Sequence, residues 1–190
     1  MRDFRIYWKN YAVDCNNFGF GIARPLIDWR TSATRFFEAV QPGDWLWFFT
    51  SGQACDMPAT TAGYLVHLFC VERKEPNKGD DTHYPTEEFR YAIWAATDRC
   101  FWLDPPLLVD AIIRPGEHPA DRHIGQLIQG PQAMKDAAVA MLEKALQRDR
   151  SELFARLSAI RDSANGGAHD AEGNPHGEWK TGPAQGKEIW

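Results

Sequence analysis

The sequence lacks any long hydrophobic run. No uninterrupted apolar stretch approaches the roughly 18 residues that a membrane-spanning helix needs, so we expect no membrane partner. The first ten residues, MRDFRIYWKN, also lack the apolar core of a secretory signal. The four cysteines are far apart and form no CxxC pair; they are Cys15, Cys55, Cys70 and Cys100. These absences together predict a reduced, cytoplasmic protein.

The sequence also has no excess of positive charge. It contains 21 Lys and Arg against 26 Asp and Glu in 190 residues, which gives a net charge of −5. This balance argues against binding a nucleic-acid backbone over a broad surface. The charge is uneven, since residues 1–50 are slightly basic and residues 51–119 carry most of the acidic excess. A local contact with nucleic acid is therefore expected in the N-terminal segment.

The common catalytic and cofactor motifs are missing. We find no GxGxxG, GxxxxGK[ST], GxSxG or HExxH. His118 and His123 are five residues apart but have no further ligands beside them, so we expect no metal and no cofactor. An enzyme whose groups meet only in the fold stays open as an alternative, with Lys9, Asp28 and His67 as its candidates.

The first two thirds of the chain consist mainly of predicted strands. FRIYW at 4–8 is aromatic and β-branched, WLWFFT at 45–50 is hydrophobic throughout, and AGYLVHLFCVERKE at 62–75 begins apolar and ends charged. Three further strands are predicted in FRYAIWAA, RCFWL and LLVDAII. An irregular loop is expected over 11–25, and a short helix over 30–40 with Thr31 or Ser32 as its cap.

The last third is helical in pattern. A helix is predicted over 131–146, with Met134, Ala138, Met141 and Ala145 on one stripe, and a second one follows Ser151. We therefore divide the chain into a domain over 1–130, helices packed on it over 131–162, and a Gly- and Pro-rich tail over 163–190. Strands that mostly follow strands predict an α+β fold, with a mixed, strongly curved sheet or small β-barrel of five or six strands.

Eight tryptophans are unusual in such a chain. Trp45, Trp47, Trp94 and Trp102 lie in predicted strands and are interpreted as core. The other candidates combine aromatic rings with small polar groups or cations, as a pocket for a stacked base requires. They are Tyr7, Trp8, Lys9 and Asn10; Trp29, Arg30, Thr31 and Ser32; and Thr50 and Ser51.

The order of these motifs resembles the PUA-like superfamily, specifically its EVE, YTH and ASCH branches. The resemblance is carried by RIYWKN, by DWRTSATRFFEAV, by VQPGDWLWFFTSG followed by TAGYLVHLFCVER, and by HIGQLIQGPQAM. These segments span about residues 4–146. Families associated with nucleotide modification share a similar layout.

The resemblance implies a pocket that accepts a modified nucleobase in DNA or RNA. In the YTH branch an aromatic cage holds a methylated adenine. Trp29 would then be the first wall, Thr31 and Ser32 would contact the base, and Thr50 and Ser51 would line the floor. The second wall would come from the loop 78–88, which has Tyr84 but no Trp.

A reader of a modified base, without catalysis, is thus the expected function. The enzyme named above is one alternative. A protein-interaction module is another, in which the helices present Met134, Met141 and Leu157 to a partner or to a second copy.

Overall fold

The computed structural model describes residues 1–79, 84–114, 122–128 and 130–166. The strands are β1 (Asp3–Tyr7), β2 (Asp28–Thr31), β3 (Trp45–Ser51), β4 (Gly63–Pro76), β5 (Tyr91–Leu108) and β6 (Gln132–Ala133). The helices are α1 (Tyr11–Phe18), α2 (Thr34–Ala39), α3 (Asp110–Ile113), α4 (Ile124–Leu127), α5 (Asp136–Asp149) and α6 (Ser151–Gly166). Among the described residues, no helix has the length and apolar character needed to cross a membrane.

All six strands form one mixed sheet in the order β2-β5-β4-β3-β1-β6. Among the described strands, β1 and β3 pair in parallel, and the other neighbours in the sheet are antiparallel. The sheet is strongly curved and forms a half-barrel, which confirms the predicted α+β class with a curved mixed sheet.

The two faces of the sheet bury separate clusters. β3 is buried at every position because alternate residues enter opposite clusters. We call one side the helical face, because α3 to α6 cover it; its members include Trp45, Trp47, Leu68, Leu142 and Leu157. We call the other side the aromatic face; its members include Trp8, Trp29, Phe48, Phe69 and Trp102.

A bulge on β4 changes what the aromatic face contains. Phe48 pairs with His67 and Phe49 pairs with Leu65, so Val66 has no partner opposite it. The same residue is skipped in the pairing with β5. An extra residue in one strand turns the following side chain to the opposite face. As a result, His67 packs among the rings of the aromatic face, in contact with Phe48 and Trp102.

Two predicted stretches have a different secondary structure. The loop expected over 11–25 begins with helix α1, whose Asn pair hid the helical pattern, and Gly19 ends the helix at a φ of 66°. Three strands were expected after residue 88, but the structure has one long strand there, β5. The end of the third predicted strand, LLVDAII, forms helix α3 instead. The Asp110 carboxylate accepts the backbone N–H of Gly63 and pairs with Arg114, which fixes that turn of helix.

The stripe predicted on the C-terminal helix packs on the sheet only in part, since Met134 and Ala145 lie against the helical face and Met141 does not. Val139, Leu142 and Leu146 are the buried residues of α5, whereas Met141 is 52% exposed. Leu157 of α6 is fully buried, so it belongs to the core and not to a free surface. Helix α6 extends to Gly166, past the expected start of the tail at 163. The rest of that segment, 167–190, lies outside the described residues.

Candidate functional site

The aromatic face has a cluster of rings around Trp8. This indole is 2% exposed and lies just after β1. Its neighbours meet it at steep angles of 64–89° and centroid distances of 5.2–6.3 Å; they are Tyr11, Phe20, Trp29, Phe48 and Trp102. The indole N–H donates to Asp14 Oδ2 at 2.6 Å. Trp8 is thus a fixed centre, while Tyr11, Phe20, Trp29 and Trp102 around it are only partly buried.

The indole N–H of Trp29 has no hydrogen-bond partner among the described residues. Trp29 lies on β2, an edge strand of the sheet, opposite Ile93 of β5, and its ring packs on Phe48 at 5.2 Å. Its Nε1 is also shielded from solvent. A buried donor left unpaired costs about 1–3 kcal/mol. An acceptor atom from a bound molecule would remove that cost.

The segment around Trp29 is a strand, which corrects the expected helix over 30–40. Helix α2 begins only at Thr34, after Ala33, and has no side-chain cap. Neither Thr31 nor Ser32 caps it, because the pairing of β2 with β5 holds residues 28–31 extended. Thr31 is buried and accepts the backbone N–H of Ala33 at 3.1 Å, and exposed Ser32 donates to the Glu88 carbonyl.

Strand alternation places Asp28 and Arg30 on the opposite side of β2 from Trp29. The Arg30 side chain pairs with Asp28 at 2.8 Å and donates to Asn77 Oδ1 at 2.5 Å. Its guanidinium also lies over the rings of Tyr84 and Trp94, at 5.5 and 5.0 Å. The Tyr84 ring, expected as a second wall, stacks on Phe18 at 6.0 Å.

The remaining predicted residues divide between the two faces. Thr50 is fully buried and donates to the Trp8 carbonyl at 2.9 Å, so it fixes the backbone beside the cluster. Tyr7 packs toward the helical face, where its ring lies against Gly125. Burial raises the pKa of Tyr7, and a hydrogen bond with Ser51 partly offsets that rise. Lys9 and Asn10 are exposed just before α1.

A thiol and an imidazole meet on the aromatic face, which the sequence did not predict. The Leu26 carbonyl lies 2.9 Å from His67 Nε2 and accepts from Cys100 Sγ at 3.1 Å. The two side chains are 3.6 Å apart. Burial lowers the pKa of His67 to about 4 and raises the pKa of Cys100 to about 12. Both groups are therefore neutral near pH 7, and the thiolate that a nucleophilic cysteine requires is disfavoured.

The second ring nitrogen of His67 is also buried in the described part of the chain. Its ring is fully buried, and Nδ1 makes no hydrogen bond with the described residues, although the nearby Phe101 carbonyl favours the protonated ring. Of the three side chains considered for an enzyme, Asp28 lies on the other side of the sheet and Lys9 is exposed. They do not form a set with His67.

No three His, Cys, Asp or Glu side chains converge as a metal site in the part of the chain that the structure describes. The His123 Nδ1 accepts the Gly125 N–H at 3.1 Å, while His118 lies outside the described residues. The chain matches no protein-family model and no curated protein. The chemistry of the site therefore depends on its own geometry.

Three partly buried aromatic residues of the site were not predicted from the sequence as site residues. Tyr11 and Phe20 fell in a stretch expected to be an irregular loop, and Trp102 was interpreted as core. A usable signal was present: Tyr11, Phe18 and Phe20 follow Trp8 within twelve residues. Such a density of aromatic residues indicates that the segment packs on the strand before it.

Proposed function

We propose that the aromatic face binds a modified nucleobase that is flipped out of DNA or RNA and stacks on Trp29. The observation that carries this proposal is the Trp29 indole itself. It is partly buried on an edge strand, held by Phe48 and Trp8, and has an N–H without a partner among the described residues. A flat ring on a rigid support suits stacking, and the N–H, which lies in the plane of the ring, suits an acceptor that approaches the edge of the indole beside the stacked base.

The electrostatics favour one base over a length of backbone. Arg30, the cation next to Trp29 in sequence, is engaged by Asp28 and Asn77 on the other side of the strand. Asp14 lies at the Trp8 indole on the aromatic face itself. Affinity for phosphates comes from accessible Lys and Arg, so little of the binding energy would come from the backbone. The site would select for the base, with a shallow dependence on salt.

The fold supports the same proposal. A mixed, strongly curved six-stranded sheet with flanking helices is compatible with the PUA-like layout that the motifs resemble. In the YTH branch of that superfamily an aromatic cage holds a methylated adenine. Here Trp29 would form one wall of it, beside the buried Trp8.

The test compares Trp29 with Trp94, a second partly buried tryptophan whose indole N–H has no hydrogen-bond partner among the described residues. Trp94 lies on the other side of the sheet, between Arg30 and Arg73. Trp29→Ala should weaken binding about 5- to 150-fold, the range expected for losing one stacked base. Trp94→Ala should leave affinity within about twofold. Trp29→Phe keeps a ring and removes the N–H, so it should show an intermediate loss.

Affinities would be measured by fluorescence anisotropy on matched DNA and RNA oligonucleotides. Within each set, one oligonucleotide would be unmodified, a second would carry a single methylated adenine, and a third would carry a single methylated cytosine. Selective binding that is lost in Trp29→Ala and kept in Trp94→Ala supports the proposal. Equal losses in both variants, or no binding to any oligonucleotide, would contradict it.

A further inference from the structure

Tyr11 lies on Trp102 in the way that a base would. The two ring centroids are 5.7 Å apart and the planes differ by 19°, which is a stacked arrangement. Every ring around Trp8, by contrast, meets it at 64° or more. Offset stacking is the geometry in which nucleobases bind aromatic side chains. Trp102 therefore offers a second stacking surface beside Trp8, and a side chain of the protein itself covers it.

The segment that carries Tyr11 is weakly anchored. We call residues 11–27, which comprise α1 and the chain that follows it, the strap. Helix α1 has no buried residue and no side-chain cap at its N-terminus. Val13 and Ile22 are 58% and 68% exposed, although both are large and apolar. Segments with so little buried surface open at low free-energy cost.

The strap is held at a few identifiable points. Asp14 accepts the Trp8 indole N–H, Tyr11 and Phe20 pack edge-on against Trp8, and Phe18 stacks on Tyr84. At its far end the Leu26 carbonyl is bound by His67 and Cys100, and the Leu26 side chain is 2% exposed. The far end is thus fixed on the sheet, whereas α1 is joined to it mainly through side-chain contacts. This arrangement lets α1 move while Leu26 stays in place.

We infer that Tyr11 is an internal occupant of the base-binding site: it stacks on Trp102 in the free protein and leaves when a base binds. The inference rests on the proposed function, and it adds Trp102 as a second wall and the strap as its cover. A protein that binds only in a minor open state has its affinity reduced by the fraction that is open. Removal of the Tyr11 ring should therefore strengthen binding.

The first experiment measures oligonucleotide affinity. Tyr11→Ala and Tyr11→Leu should bind about 2- to 13-fold more tightly than the wild type, the range equivalent to one aromatic pair. Tyr11→Leu retains apolar volume and guards against a folding defect. Trp102→Ala should weaken binding, and Tyr11→Ala combined with Trp102→Ala should show no gain. If Tyr11→Ala weakens binding as Trp29→Ala does, Tyr11 is a wall and the inference is overturned.

The second experiment does not require a nucleic acid. Hydroxyl-radical footprinting with mass spectrometry would report how accessible Trp102 is. We expect at least a threefold faster oxidation of Trp102 in Tyr11→Ala than in the wild type. Val13→Ala is the matched control, because Val13 lies on the same helix and its side chain is 58% exposed. An unchanged rate in Tyr11→Ala, or an equal rise in Val13→Ala, would show that Tyr11 does not cover Trp102.

The two experiments separate the two proposals. If no oligonucleotide binds while the footprint changes as expected, the proposed function fails and the cover on Trp102 stands. If oligonucleotides bind through Trp29 while the footprint and the Tyr11 affinities do not change, the function stands and the cover fails. Hydrogen exchange adds a direct readout, since bound oligonucleotide should speed exchange of the α1 amides. Slower exchange there would count against displacement of the strap.

Discussion

Each face of the sheet buries a tryptophan whose indole N–H needs a hydrogen-bond acceptor, and the two faces supply that acceptor in different ways. On the helical face, Trp47 donates to Asp3 at 2.7 Å, and Asp3 also pairs with Arg161, which in turn pairs with Glu143. On the aromatic face, Trp8 donates to Asp14 at 2.6 Å, but Asp14 belongs to a helix without a buried residue.

The difference indicates separate roles for the two faces. The Asp3 carboxylate on the helical face is linked to the sheet through Trp47 and to α6 and α5 through Arg161 and Glu143. Its hydrogen bond with Trp47 therefore depends on the packing of the helices on the sheet. Of the three buried side-chain nitrogens without hydrogen bonds to described residues, Trp29 Nε1 and His67 Nδ1 lie on the aromatic face, and Trp94 Nε1 lies on the other side of the sheet at the edge near β2. Unsatisfied polar groups and partly buried rings cost stability, and such costs are concentrated at binding sites. We therefore assign stability mainly to the helical face and binding to the aromatic face.

The largest expected effect is on the helical face. Leu142→Ala removes a fully buried side chain between α5 and the sheet and should cost about 2–5 kcal/mol of unfolding free energy. Met141→Ala, at the adjacent exposed position of the same helix, should cost less than about 0.5 kcal/mol. Urea denaturation measures both. Similar losses in the two variants would show that α5 does not pack as described.

The second prediction concerns His67 and the pH dependence of stability. The pKa of His67 is lowered from 6.5 to about 4 in the folded protein, so the unfolded chain binds its proton more tightly. Stability should therefore be independent of this group above pH 6.5 and should fall by up to about 3 kcal/mol as the pH drops to 4.

A His67→Gln variant should lose that part of the pH dependence. Burial raises the pKa of Asp3 and Asp14, and these groups act in the opposite sense, because they favour the folded state as the pH falls. The difference between wild type and His67→Gln isolates the histidine. If the variant does not fold, the NMR titration of His67 in the wild type gives the answer, and a midpoint above pH 6 would contradict the prediction.

The smallest effects compare the two indole–carboxylate pairs directly. Asp3→Asn should destabilise the whole protein by about 2 kcal/mol, because partly buried Arg161 loses its partly buried carboxylate partner. Asp14→Asn should cost less than about 1 kcal/mol globally and should mainly speed hydrogen exchange of the α1 amides. Equal global losses would remove the proposed distinction between the faces.

The sequence predicted the parts of the fold whose pattern is local. β3 and the buried start of β4 were recognised because their apolar residues are continuous, and α5 because its alanines and leucines favour a helix. α1 was missed because Asn16 and Asn17 weaken its helical pattern. β2 was mistaken for the start of a helix because its extended form comes from pairing with β5, more than sixty residues later.

The candidate site was likewise predicted where its signal is local and missed where it depends on contacts between distant residues. Trp8 and Trp29 were singled out from their polar neighbours, and both lie in one cluster. Tyr7 and Ser51 were grouped with them because adjacent residues look close in a sequence, whereas alternation along a strand sends them to the other face. The contact between His67 and Cys100 depends on the bulge at Val66 and on the pairing of β4 with β5. No local sequence pattern predicts it.

The pairing of β1 with β6 has a consequence for how the chain folds during synthesis. Phe4 pairs with Ala133 and Arg5 with Gln132, so the first strand stays a free edge until about 130 residues have been made. At about 5–20 residues per second, that interval lasts several seconds to half a minute. Exposed edges recruit other strands. The nascent chain is thus open to misassembly along β1 until β6, only two residues long, covers part of that edge.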